Sequence, residues 1–264
     1  MSQDICRWGI LGTAFIAKKN WKSIWNCDNA TLVAVASRSE ERAAEYIAEN
    51  QAQVPFDPAP EAVGSYEALL ARDDIDAVYI PLPTGIRKEW VIKAAEAGKH
   101  VWCEKPMAVN VAECQEIINA CEKNKVQLTI GYRMHHEPVT QKIISWNKSR
   151  PYGKPLKLKA EAGFYNSGGN GTHWKLFKEL GGGAMFDMGV YPLNAVRYAT
   201  GLEPIRVRAT IERSRPELFE ADETTIFDLD FPGGIVANCK TSFSESLNTL
   251  RTDCQNGWYE LRPF

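Results

Sequence analysis

The chain has 264 residues, 44% of them hydrophobic and 24% charged, with 31 basic against 33 acidic side chains and a formal charge of −2. That is an ordinary composition for a globular protein of roughly two domains, and its near-neutral balance gives no electrostatic reason to expect nucleic acid or an anionic membrane as partner. No apolar run approaches a membrane span and the start MSQDICRW lacks a signal-peptide pattern, while the 7 cysteines include no C-x-x-C pair and fit reduced thiols in the cytoplasm.

Up to residue 133 short apolar runs alternate with helical periodicity, the pattern of a doubly wound α/β sheet. Residues 6–11 (CRWGIL) read as the first strand. The following helix puts Ala14, Ala17, Trp21, Ile24 and Trp25 on one face. Between them lies Gly12-Thr13-Ala14-Phe15-Ile16-Ala17, close to the dinucleotide fingerprint G-x-G-x-x-G/A but with alanine at the second glycine. Alone it fits a nucleotide site or a plain strand–helix corner equally well.

A second strand at 31–37 leads into EERAAEYIAEN, a helix. At this strand's tip an acid would suit the ribose of NAD and a cation the 2′-phosphate of NADP. Here the tip is Ser37-Arg38, with Arg42 one helical turn on, which favours NADP; the other reading is a solvated, charged helix start. Residues 51–64 read as loop, 66–71 as a short helix and 77–82 as a strand. Thr84 is placed to cap a helix ending before Gly98. The strand at 100–104 stops at Pro106, so Lys105 falls at the carboxyl end of a parallel strand, where open α/β sheets bind ligands. There it either donates to a substrate oxygen or merely packs its stem and sends its head to water. Asn110 and Glu113 open a helix with Val111, Cys114, Ile117, Ile118 and Cys121 inward, and 127–133 is the last strand of this half.

The second half reads as an α+β domain with an open, mostly antiparallel sheet: strands at 154–164, 204–212, 224–231, 236–243 and 258–262, and a helix at 184–199. The expected division is 1–133 and 134–264. The chain stops at or just after a strand, so the sheet is expected either to be truncated or to have its edge covered by another subunit. In DMGVYPLN the residues Asp187, Tyr191 and Asn194 share a helical face, which suits a phenol that passes a proton and a carboxylate that orients hydroxyls or a cation; a packed tyrosine with a satisfied hydroxyl is the other reading. Trp174 and Lys175 lie in a loop that is either a lid or anchored by its tryptophan. His135 and His136 lack a partner set with zinc-like spacing, so no metal is expected.

Taken together, WGILGTAFIA, VAVASRS, AVYIPLPT, AAEAGKHVWCEKPMA, GYR at 131–133, WKLFKELGGG and DMGVYPLN resemble the glucose–fructose oxidoreductase/inositol dehydrogenase (Gfo/Idh/MocA) family, nearest its NADP-dependent sugar and dihydrodiol dehydrogenase branch. The resemblance implies a Rossmann domain followed by a sheet domain that often mediates homo-oligomerisation. It implies a hydride transfer between NADP and a sugar, polyol or related hydroxy/keto compound; a sensor on the same scaffold is the alternative. It puts the pyrophosphate on Gly12 and Thr13 to Ile16 and the 2′-phosphate on Ser37, Arg38 and Arg42. Pro81, Leu82, Pro83 and Thr84 would run along the cofactor, with Glu104 and Lys105 at the nicotinamide and Arg133, Trp174 and Lys175 over the dinucleotide. Lys105, Asp187 and Tyr191 would form the catalytic group, Lys105 lowering the phenol from its ordinary pKa of about 10. Two departures stand out: Thr84-Gly85-Ile86-Arg87 replaces a common Asn-Ser/Pro-Leu-His, and Tyr191 stands where many relatives have His.

Overall fold

In the computed structural model, which describes residues 5–264, the apolar run Cys6–Leu11 forms β1. Helix α1 (Phe15–Trp25) buries Ala17, Trp21 and Ile24, the i, i+4, i+7 stripe of a helix lying on a sheet. There follow β2 (Ala30–Ala36), α2 (Glu40–Gln51), β3 (Glu61–Val63), α3 (Tyr66–Leu70), β4 (Ala77–Ile80), α4 (Thr84–Glu96), β5 (His100–Glu104), α5 (Val111–Lys123) and β6 (Leu128–Gly131). The strands pair in parallel in the order β3-β2-β1-β4-β5-β6. Successive residues of β1 feed opposite cores: Ile10 packs with Trp21, Leu32, Tyr46 and Tyr79, and Leu11 with Val78, Ile80, Val91 and Ile117. A sheet buried on both faces explains the near-continuous apolar strands. Strand order reverses between β1 and β4, which makes the loops after these strands the natural ligand edge.

Several local expectations for this first unit, Met1–Gly131, are corrected. The stretch read as loop contains β3, whose three residues are too few to show alternation. Thr84 does not cap α4; it is the first helical residue, and Pro83 holds the cap position without a side-chain bond. Val111 is 85% and Trp25 48% exposed, because a helix presents fewer inward positions than its apolar residues suggest. Asn110 does cap α5, accepting from the Glu113 amide at 2.9 Å.

The second unit, Tyr132–Phe264, contains α6 (Pro138–Ser149), β7 (Pro155–Gly163), α7 (Val190–Thr200), β8 (Arg206–Glu212), β9 (Thr224–Asp230), β10 (Val236–Ser242), β11 (Leu247–Cys254) and β12 (Gly257–Leu261). Its sheet runs β12-β11-β7-β10-β9-β8, antiparallel except for β7–β10. Helix α7 packs on β7, β10 and β11. Sequence reading misses α6, whose apolar residues are sparse, and β11, whose core-facing set includes the buried Thr252. The helix expected over 184–199 is two pieces: a π-helical segment, Met185–Gly189, runs into α7 and shifts the register between Asp187 and Tyr191.

One buried ion pair holds the long connection between β8 and β9. The Glu223 side chain is 1% exposed and accepts from Arg215 Nε at 2.7 Å, the Arg215 amide at 2.9 Å and the Ser214 amide at 2.7 Å. Arg215 also donates to the carbonyls of Asn166 and Phe243, tying the loop after β7 to the same point. Burial alone would push the Glu223 carboxyl up, but the bonds from Arg215 and Ser214 outweigh it and leave it below its ordinary 4.5. A carboxylate depressed in the folded state contributes stability above the unfolded value and loses it as pH falls through the folded value. Urea denaturation of the wild type is therefore expected to weaken progressively below about pH 4.5. Glu223→Gln should be less stable at pH 7 and flatter over that acid range; parallel curves for the two proteins would contradict this.

Candidate active site

At the end of β1, Gly12 turns with φ +105, a conformation glycine adopts freely, and donates its amide to Ala36 O at 2.8 Å. A Cβ there would meet Leu82 Cδ2 at 3.0 Å, so the backbone lies close against the loop after β4. Ala14 has φ −71 and ψ 148, which an L residue adopts without strain, so the missing second glycine costs the turn nothing. Helix α1 then starts with no side-chain cap and no acidic residue in its first turn. Its leading amides suit a diphosphate, and the exposed Phe15 (78%) and Ile16 (39%) leave that end open.

Beside this turn stand the basic residues after β2. Arg42 Nε donates to Thr13 Oγ1 at 3.1 Å, and Arg38 is exposed at the strand tip. Ser37 is only 3% exposed, its amide bonded to Val63 O. Tyr66 belongs here too, although sequence reading passes over it. Its hydroxyl lies 3.6 Å from a Cβ built on Gly12, and burial raises the phenol while the charges of Arg38 and Arg42 draw it back. No sequence signal marks it, since α3 carries it in only after β3 has paired with β2.

The loops after β4 and β5 are joined by Arg87, another residue sequence reading gives no role. Its guanidinium is 2% exposed and donates to Leu82 O at 2.6 and 3.1 Å, to Glu104 O at 2.9 Å and to Pro106 O. A buried arginine keeps its charge and must find acceptors, and its forked donors gather carbonyls from both loops. Glu104 is equally engaged: Tyr79 donates to Oε1 at 2.7 Å and the Lys105 amide to Oε2 at 3.1 Å. Burial and the adjoining Glu104 carboxylate raise the Tyr79 phenol, keeping it a donor. Lys105 follows at the partly buried strand end. Thr84 is 1% exposed and its Oγ1 has no partner among the described residues. An orphaned buried hydroxyl at this edge, with an uncapped helix start and exposed arginines, is what a dinucleotide would complete.

In the second unit, the run of glycines at 181–183 draws the segment around Lys175 against the start of the DMG helix. A Cβ on Gly182 would fall 2.5 Å from Lys175 O, and one on Gly183 (φ +103) 2.0 Å from Asp222 Oδ1. Gly183 donates its amide to Lys175 O at 2.9 Å, and Asp222 Oδ2 accepts from the Met185 amide at 2.7 Å. Lys175 Nζ thereby meets Asp187 Oδ2 at 2.6 Å. Tyr191 stacks on Tyr132 with ring centroids 5.5 Å apart, and the Arg133 guanidinium lies 5.5 Å over the Tyr191 ring. Thus the structure brings Asp187 and Lys175 together and sets Arg133 beside Tyr191. Trp174 sits in the same 3₁₀ turn as Lys175. Among the described residues no cluster of His, Cys, Asp or Glu is arranged to hold a metal, and no helix is long and apolar enough to cross a membrane.

Residues 6–132 match the family model described as "Oxidoreductase family, NAD-binding Rossmann fold", and residues 140–260 that of the "GFO/IDH/MocA C-terminal domain". The chain belongs to the Gfo/Idh/MocA family. Among family relatives, an uncharacterized oxidoreductase of Rhizobium meliloti is 36% identical over 236 residues, 88% of this chain and 66% of that protein. A D-xylose 1-dehydrogenase (NADP(+)) of Haloferax volcanii is 32% identical over 256 residues, 97% of this chain and 75% of that protein. The crystal structure of an aldose–aldose oxidoreductase from Caulobacter crescentus, complexed with glycerol, superposes with a TM-score of 0.84 at 32% identity, covering 98% of this chain and 77% of that one. The chain thus spans two thirds to about three quarters of the lengths of these Gfo/Idh/MocA proteins.

Arg87 gives this edge its most direct physical test. Arg87→Met leaves three carbonyls without their donor, and chemical denaturation should show a loss of about 3 kcal/mol. An unchanged midpoint would remove Arg87 as the tie between the two loops.

Proposed function

We propose that the chain is an NADP-dependent oxidoreductase that moves a hydride between nicotinamide and a sugar, polyol or related hydroxy/keto compound. The observation that carries this reading is the edge of the parallel sheet, where Gly12, the uncapped start of α1 and the orphaned Thr84 hydroxyl form an incomplete polar seat. The preference for NADP rests on the exposed Arg38 at the tip of β2 and on Arg42, bonded to Thr13, with no carboxylate at that tip. The xylose dehydrogenase, named for NADP(+), and the aldose–aldose oxidoreductase support a sugar-like substrate.

Gly12, Thr13, Ala14, Phe15 and Ile16 would hold the diphosphate, and Ser37, Arg38 and Arg42 the 2′-phosphate. Pro81, Leu82, Pro83, Thr84 and Glu104 would line the path to the nicotinamide, with Arg133 and Trp174 over the dinucleotide. The bound dinucleotide supplies the hydride acceptor or donor at its nicotinamide ring. Lys105, carried by the loop that Arg87 and Glu104 brace, would donate to the reacting substrate oxygen. Tyr191 would take or return the hydroxyl proton, and Asp187 would accept from a substrate hydroxyl. We also propose a homo-oligomer through the sheet of the second unit, in the cytoplasm. The edge strand β8 leaves Val207 63% and Ile211 61% exposed, which supports the association.

NADPH should raise the melting temperature well beyond what NADH achieves at the same concentration. Equal stabilisation would count against the role of Ser37, Arg38 and Arg42. With NADP⁺ and D-xylose as probe, Lys105→Ala and Tyr191→Phe should each lower turnover by about 100-fold while the protein stays folded. Near-wild-type rates in both variants would overturn the assignment.

A further inference from the structure

We infer that Lys175 is the residue that positions the Asp187 carboxylate and holds it ionised, so that Asp187 meets the substrate as an acceptor and leaves proton transfer to Tyr191. This assignment rests on the oxidoreductase reading and departs from the dinucleotide-covering role that the family resemblance implies for Lys175.

The geometry around the ammonium carries it. Nζ is 2.6 Å from Asp187 Oδ2, with the two side chains 22% and 12% exposed. The rings of Phe164, Trp174 and Phe243 lie 5.1, 5.8 and 6.0 Å from Nζ. An ammonium bordered by ring faces is held by the ring quadrupoles, and the carboxylate is the strong acceptor in that box. At both ends of the pair the backbone is held by hydrogen bonds, to main-chain groups and to the side chains of His173 and Asp222. On the lysine side, His173 Nδ1 accepts from the Lys175 amide and Gly183 donates to its carbonyl. On the aspartate side, the Asp187 amide donates to Gly183 O at 3.1 Å, and Asp222 fixes the Met185 amide two residues earlier.

A half-buried ion pair is costly to build from mobile groups, and here the glycine turn makes it in one short segment. An opposite charge this close favours the ionised carboxylate, which can only accept hydrogen bonds. His173 is held below its ordinary value by burial and then by the Lys175 charge. The ammonium of Lys175, 2.6 Å from Oδ2, is a cation in direct contact with the Asp187 carboxylate.

The test titrates the Asp187 side-chain carboxyl by carbon NMR in the wild type, Lys175→Met and Lys175→Arg, and measures NADPH affinity by fluorescence in the same samples. Lys175→Met should raise the Asp187 midpoint by about one unit or more, leave NADPH affinity within about twofold, and move the acid limb of the turnover profile with D-xylose in the same direction. Lys175→Arg should bring the midpoint and the acid limb back towards the wild type and likewise leave NADPH affinity unchanged. If Lys175→Met fails to fold, Lys175→Gln takes its place. A midpoint that does not move, or a tenfold loss of NADPH affinity, would overturn the inference. Absence of D-xylose oxidation in the wild type would instead strike the oxidoreductase reading, while the carboxyl titration and the NADPH measurement still judge Lys175.

Discussion

A guanidinium enclosed in protein cannot shed its proton, so the backbone around it must supply acceptors, and that constraint organises the ligand edge of the first unit. Arg87 is 2% exposed and takes the carbonyls of Leu82, Glu104 and Pro106. Those atoms belong to the loop after β4, which leads into Thr84, and to the end of β5 and the loop after it, which carry Lys105. The buried charge bonds the two loops to each other directly. With it, the lysine at the end of β5 is displayed from a braced turn. The Glu104 carboxylate adds a second tie, since it is spent on Tyr79 and on the Lys105 amide.

The second unit solves a comparable problem with glycine. A carboxylate meant to orient hydroxyls must be both desolvated and kept charged, demands that conflict unless a cation is delivered to it. The turn at 181–183 brings the Lys175 backbone closer to the start of the Asp187 helix than any side chain would permit. Asp222 and the π-helical segment then set the direction in which Asp187 emerges. The loop after β7 is fastened separately by Arg215 and Glu223.

Much of this was legible in the residues. Strand runs such as CRWGIL and HVWCE, buried on both faces, announce a parallel sheet, and the Asn110 cap lies where its spacing places it. Ala14 shows how far a motif can be trusted: its backbone is extended with negative φ, so the glycine absent from the fingerprint was never required by the turn. What sequence did not disclose depends on distant pairing. Tyr66 reaches Gly12 only through β3, a strand too short to read. Arg87 looks like a surface arginine of a helix until the carbonyls of two other loops are seen around it. The Lys175–Asp187 pair spans a glycine turn whose φ values no periodicity encodes.

These features converge on one claim: the chain moves a hydride, and does not merely recognise a nucleotide. The most direct measurement is isotopic. The protein is incubated with NADP⁺ and a panel of aldoses deuterated at C1, D-xylose among them, and the reduced cofactor is examined by NMR for deuterium at C4 of the nicotinamide. Deuterium delivered stereospecifically from at least one aldose, at a rate cut in Tyr191→Phe, is the expected result. NADPH binding with no deuterium transfer from any member of the panel would contradict the account and leave a nucleotide-binding sensor on the same scaffold.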